Sequence, residues 1–384
     1  MTGRPVPAPR PLKWIWGLYA ASVLLVTLQK GLIHPGNFLL FRCTFDRLVH
    51  GQSLYLTTPD CFGYLYSPAF ALLFAPFALL PPLLGLFCWN AINAAAPAWA
   101  IARLLDPRRA QLVLVFIYLD VVRSMQNSQS NALVAGLLIL TFLACERESI
   151  VGAALMTGAG ALIKIFPAAG GVFALVSPQP AGVRLKRIAI FVVAGALLAL
   201  TPLLVTAPSM LVAQYHAWLT TTTTTSVLRG ESVLGILGTW FGYAGPNWPL
   251  QLAGLVTLLA PVILLRRAAR HPEFRRLFLC SLLVFVVIFN HQAESPSYVI
   301  ATAGIGIWAV TFGERWRVVL AILTLVLVSL VATSLVPWHY RHDVLRAYSV
   351  QAVPCLLCWI GIQADLWRTR VTDPRTAPAE GLPG

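Results

Sequence analysis

Residues Ser67–Pro82 read SPAFALLFAPFALLPP, and how this stretch is placed decides the topology of the whole chain. It is an apolar run of roughly 14 residues, broken by Pro76 and closed by Pro81 and Pro82, whereas a membrane-crossing helix needs about 20. We read it as an interfacial or re-entrant helix, since short apolar segments that fail to cross must keep their backbone groups satisfied within the protein. Counting it as a crossing would put Arg103, Arg108 and Arg109 outside and reverse every basic loop that follows.

With that segment excluded, apolar spans fall near 14–33, 83–104, 110–124, 130–145, 150–163, 165–177, 187–206, 248–265, 277–290, 298–312, 317–336 and 344–364. That makes about twelve transmembrane helices. The loops then assigned to the inside hold most of the 28 basic residues, which is the bias of the positive-inside rule and places both termini in the cytoplasm. The first span is too long for a signal-peptide core and is read as an uncleaved helix.

Composition agrees with a polytopic membrane protein. Of 384 residues 58% are hydrophobic and 11% charged, and the mean hydropathy is +0.75. The net charge of +14 does not mark a nucleic-acid binder, because the basic residues lie in short clusters between spans and not along one stripe. We expect one integral-membrane domain over 1–364 and a disordered cytoplasmic tail over 365–384. Of the seven cysteines, Cys43 and Cys61 share one outer loop, which leaves a disulfide between them open. The others read as small buried hydrophobes, and the Cys355/Cys358 pair lacks the His or acid that zinc would need. The run Thr220–Thr225 reads as a low-complexity part of an outer loop.

Polar and ionisable residues gather on the outer side, in 34–66, 123–131, 164–167, 208–248 and 290–298. The last of these, NHQAESPSY (Asn290–Tyr298), lies between two apolar spans. Ionisable residues at such a depth are costly unless they face protein or a water-filled cavity, so His291 and Glu294 mark a functional site. Pro296 disfavours helix at Ser295 and helps to break the chain there.

Several segments together resemble the bacterial polytopic glycosyltransferases of family 87, of the GT-C superfamily. They are NFLLFRCTFDRLVHGQSLY (37–55), YSPAFALLFAPFALLP (66–81), WNAINA (89–94), QNSQSNALVAGLL (126–138), LIKIFP (162–167), ESVLGI (231–236) and NHQAESPSY (290–298). The resemblance implies an all-α GT-C-like fold in the bacterial inner membrane, with the active site outside. It implies transfer of a hexose, mannose first, from a polyprenyl-phosphate sugar to a glycan or glycolipid acceptor, with no cofactor. It also implies an Asp near the start of the first outer loop as the base. That position is Asn37, which cannot accept a proton. A family member that has lost catalysis therefore stays as a rival reading, and so does a transporter or flippase of lipid-linked sugars, which would use the same apolar groove and polar outer cavity.

Such a transfer needs a base for the acceptor hydroxyl and cations for the departing phosphate. The outer acids are Asp46, Asp60, Glu231, Glu294 and Asp343, with Asp120 deeper in a helix. Glu294 is the first choice as catalytic group, and Asp46 or Asp60 the second. Asp46 reads equally well as a loop acid paired with Arg42 or Arg47. Lys164 is the foremost phosphate cation, because LIKIFP sets an ammonium within apolar sequence. Snorkelling is its bland alternative. Arg42 and Arg341 stand in reserve, with Arg123. Gln126, Asn127, Gln129 and Asn131 have the amides to bind sugar hydroxyls, or they merely cap a helix. Asn37 and His291 complete the binding set, the latter as an orienting partner. No DxD pair or phosphate-cradling Gly-rich loop occurs, and no metal is expected.

Overall fold

The structure, a computed structural model, describes residues 13–34, 36–59, 61, 63–176, 179–224 and 230–369. These are helical apart from turns and one isolated β-bridge between Thr58 and Cys61. Asp60, a candidate acid, and the tail from 370 lie outside the described residues.

α1 (Lys13–Ile33) precedes the first-loop helix α2 (Asn37–Val49). The stretch 67–82 folds as two short helices, α3 (Pro68–Leu73) and α4 (Ala75–Ala78). Ser67 caps α3 by accepting the Phe70 N–H, and Pro68 occupies the first turn, where no N–H is missed. Pro76 falls in the first turn of α4, and Pro82 starts α5 (Pro82–Leu104), so this stretch makes no continuous crossing helix.

α6 (Pro107–Phe116) and α7 (Tyr118–Gln126) follow, then α8 (Asn131–Glu146) and α9 (Ile150–Ile163). A 3-10 turn at Phe166–Val172 leads to α10 (Phe173–Val176) and α11 (Ala181–Ala199). Beyond these come α12 (Pro208–Thr224), α13 (Val233–Phe241), α14 (Trp248–Leu264), α15 (Pro272–Ile288), α16 (Tyr298–Phe312), α17 (Arg315–Thr324) and α18 (Ala352–Arg368). The chief packed pairs are α5 with α8, α8 with α9, α9 with α11, and α15 with α16.

Among the described residues three helical stretches are long and apolar enough to cross a membrane: Lys13–Ile33, Pro82–Leu104 and Ser295–Phe312. The helices at 131–146, 150–163 and 248–264 are apolar but shorter. The larger number expected from hydropathy is not met by unbroken helices, because several apolar stretches are interrupted. Ile117 divides 110–124, the 3-10 turn occupies most of 165–177, and π-helical turns take up 325–330 and 340–346. The threonine run differs from its reading as a loop. Through Thr224 it continues α12, with hydroxyls returning to carbonyls one turn back, Thr220 to His216 at 3.0 Å and Thr223 to Leu219 at 2.9 Å.

The first loop is a built element. A Cys43–Cys61 disulfide closes it, and the Arg47 guanidinium donates to Leu56 O and Thr58 Oγ1. Phe41 of α2 meets Tyr66, Phe70, Phe74 and Trp89 edge-on at 4.9–5.9 Å, which locks α2 against α3, α4 and α5.

Candidate active site

Four segments converge on a cavity of about 1800 Å³. Three of them are fixed by backbone features that the local sequence explains. After α7 the chain turns through Ser128 at φ 51°, with Ser128 N–H donating to Met125 O and Gln129 N–H to Ser124 O. This is a Schellman end, made here by serine where glycine is the usual residue. Trp89 Nε1 donates to Ser128 O at 3.0 Å, and the Asn93 side chain accepts the Leu133 N–H, so α5 holds this turn from below. Gln129 is thereby aimed into the cavity, while Asn127 is exposed and returns its amide to Arg123 O.

Lys164 follows the last residue of α9, its N–H closing on Gly160 O. Ser67 Oγ donates to Leu162 O at 2.6 Å, anchoring this helix end to α3. The third segment is 230–232. Gly230 has φ +50°, and a Cβ there would lie 2.7 Å from Ala293 O and 2.8 Å from His291 O. Glycine is needed for this approach, which lets Glu231 N–H donate to Ala293 O at 2.9 Å and Tyr298 Oη donate to Glu231 O at 2.6 Å.

The fourth segment is 289–297. α15 ends at Ile288, and Glu294 caps the short turn Ser295–Ser297 before α16 begins. From here a polar chain crosses the wall of the cavity. Gln129 Nε2 donates to Glu294 Oε2 at 2.8 Å, Asn131 Nδ2 donates to Gln129 Oε1, and Lys164 Nζ donates to Asn131 Oδ1 at 2.7 Å. An acid and a cation are thus connected through two amides. Burial pushes the Lys164 ammonium below its ordinary value, and the Glu294 charge opposes that shift.

His291 also lines the cavity. Its Nδ1 lies 3.4 Å from Gln251 Nε2, and its Nε2 has no hydrogen-bond partner among the described residues. Desolvation lowers its basicity and favours the neutral ring near pH 7. Glu231, 7% exposed at its side chain, faces the same space with Arg346 at 3.5 Å. Burial pushes its carboxyl up to about 7, against Arg346 and Arg123, which lower it.

The other sequence candidates lie elsewhere. Asp46 is exposed on α2, 3.4 Å from His50, and does not line the cavity; Arg42 and Arg47, the partners considered for it, donate to carbonyls. Arg42 binds Leu80 O at 2.8 Å, and Arg341 points to Ala332 O. Gln126 does not line the cavity, nor do Asn127, Arg42 and Arg341. Asn37 does, and its amide donates to Asn127 O at 3.1 Å, a contact in which a carboxylate would oppose an oxygen. Arg123 is taken up by Asp120 at 3.1 Å, Ser295 Oγ and Ser329 O. Among the described residues no group of three or more His, Cys, Asp or Glu side chains is arranged to hold a metal.

The family model of glycosyltransferase family 87 matches residues 64–289. The chain belongs to that family. The matched part of this family 87 glycosyltransferase contains Gln129, Asn131, Lys164 and Glu231; Asn37, His291 and Glu294 flank it. No protein of curated function matches the chain in sequence. Its family and its apolar helices together associate it with a membrane.

Proposed function

We propose that this glycosyltransferase moves a hexose, mannose as the first candidate, from a polyprenyl-phosphate sugar to a glycan or glycolipid acceptor on the outer face of the bacterial inner membrane. The observation that carries the reading is the chain Glu294–Gln129–Asn131–Lys164 along one cavity whose remaining walls are rich in apolar side chains such as Leu252, Leu255 and Phe285. A lipid monophosphate donor needs this combination. The phosphate wants a fixed cation, the acceptor hydroxyl an acid beside it, and the prenyl tail an apolar wall. In this reading Lys164 faces the phosphate, Glu294 engages the acceptor hydroxyl, and Gln129 with Asn131 sets their separation. The GT-C architecture and about twelve crossings belong to the same proposal. A disulfide in the first loop suits an oxidising compartment.

Purified protein in detergent, given a panel of polyprenyl-phosphate hexoses with EDTA present, should transfer sugar from at least one donor. A strict need for manganese or magnesium, or turnover with nucleotide sugars instead, would overturn the donor assignment. Sidedness is tested by cysteine labelling, with positions 52, 221 and 342 reacting in intact cells and positions 108 and 270 only after permeabilisation. Labelling of position 108 in intact cells would reverse the topology.

A further inference from the structure

Glu294 is an occupied carboxylate. One of its oxygens accepts from Gln129, whose own oxygen is held by Asn131, which in turn is held by Lys164. Such a group, held on one oxygen by an amide donor, is placed to align a hydroxyl. Glu231 is differently placed. Its backbone is clamped on both sides, by Ala293 O and by the Tyr298 hydroxyl, and Gly230 allows the loop to press against His291 and Ala293. Its side chain is buried yet lines the cavity. The charged and titratable groups facing it are Arg346 from the 340–346 turn, Arg123 from α7, Glu294 from the neighbouring loop and Tyr298 from α16, with the Ser295 N–H aimed at the carboxyl.

Resting on the transfer reading above, we infer that Glu231 is the group that takes the acceptor's proton, while Glu294 holds the acceptor in line. The acceptor O–H bond breaks, with the proton passing to a Glu231 carboxylate oxygen. The acceptor oxygen bonds to the anomeric carbon, and the anomeric C–O bond to phosphate breaks, its electron pair leaving on the polyprenyl phosphate beside Lys164. Glu231 then returns the proton to water through the cavity. Burial supports the role, since a carboxyl pushed up to about 7 combines proton affinity with a sizeable ionised fraction at neutral pH. The division of labour also explains how a chain with Asn37 in place of an acid can keep a base. The Glu231 carboxyl reaches the same cavity from the 230–232 segment.

The test is the pH profile of transfer by the full chain in detergent, with the polyprenyl-phosphate hexose that the wild type accepts. A base must be ionised, so wild-type kcat/KM should fall as pH drops through about 7. Glu231→Gln should lower kcat by about 10²-fold or more, lose that acidic limb and keep donor affinity. Glu294→Gln should be slow but keep the limb. Arg346→Met removes a cation that holds Glu231 down, so its limb should move to higher pH. Glu231→Gln within threefold of the wild type, or an acidic limb that survives it, overturns the inference. Should Glu231→Gln not fold, the position of the Arg346→Met limb decides alone, and an unmoved limb overturns it. A wild type inactive with every lipid-phosphate donor defeats the transfer reading itself, a failure distinct from either.

Discussion

Two cation–carboxylate clusters in this bundle each set a basic side chain against an acid, and they are wired differently. At the end of α16, Arg317 donates to Asp365 at 3.0 Å and to Phe312 O at 2.6 Å, and the second Asp365 oxygen accepts from Trp308 Nε1 at 2.8 Å. The guanidinium also lies over the Trp308 and Trp316 rings. The charges contact each other directly, and both carboxylate oxygens are used. In the cavity, Lys164 and Glu294 are instead held apart by Gln129 and Asn131. A lysine ammonium has three donors, and one serves Asn131, which leaves the group able to meet an anion. The lesson is that a buried charge marks a site when its partners keep it from neutralising locally, and marks scaffolding when they do not.

The largest effect that would sharpen the contrast is on stability. Asp365→Ala leaves the buried Arg317 guanidinium with only the solvent-exposed Glu314 carboxylate, 3.5 Å away, as an ionic partner, and breaking a buried pair costs about 3–5 kcal/mol. Thermal unfolding in detergent should show this loss, with kcat per folded molecule unchanged. A variant that is stable but inactive would erase the distinction. Glu294→Gln should do the reverse, lowering turnover by about 10²-fold through misaligned acceptor while expression and melting stay near wild type. If it is fully active and Asp46→Asn or Asp60→Asn is dead, the acid lies in the first loop and the cavity has been misread.

Lys164→Ala should weaken donor binding and turnover together by about 10-fold or more, because a cation facing phosphate acts in the ground state as well as during departure. Since burial lowers the Lys164 ammonium below a free lysine, raising the pH should discharge it early. Donor affinity should therefore fall at a lower pH than ordinary lysine titration would give, and binding unaffected by pH would contradict the assignment. The smallest effect is expected at Asp46, an exposed acid paired with a histidine one turn on. Asp46→Asn should cost less than about 1 kcal/mol and leave the transfer assay close to wild type.

Much of the site was legible in individual residues, because an ionisable or amide side chain amid apolar sequence needs a reason. Lys164, Gln129, Asn131 and Glu294 all carried that signal. Choosing among neighbours was harder. Gln126, Asn127 and Gln129 have the same chemistry in one short segment, and it is the left-handed turn at Ser128 that sends Gln129 inward and leaves Asn127 outside. Glu231 was visible as one outer acid among several. Nothing local distinguished it, since its burial comes from contact with the 291–295 loop far along the chain.

Sequence alone determined the solvent this chain is made for and the class of its elements. Fifty-eight per cent hydrophobic residues and a mean hydropathy of +0.75 point to a membrane, and a membrane requires helices or a closed barrel whose backbones satisfy themselves. The prolines at 76, 81 and 82 likewise determined that 67–82 is not one helix, because a missing N–H is a local fact. Tertiary structure decided which polar groups meet. Cavities, burial and proton affinity depend on which loops are pressed together across the bundle, and the contacts that press Gly230 against Ala293, or Trp89 against Ser128, join residues that no periodicity relates.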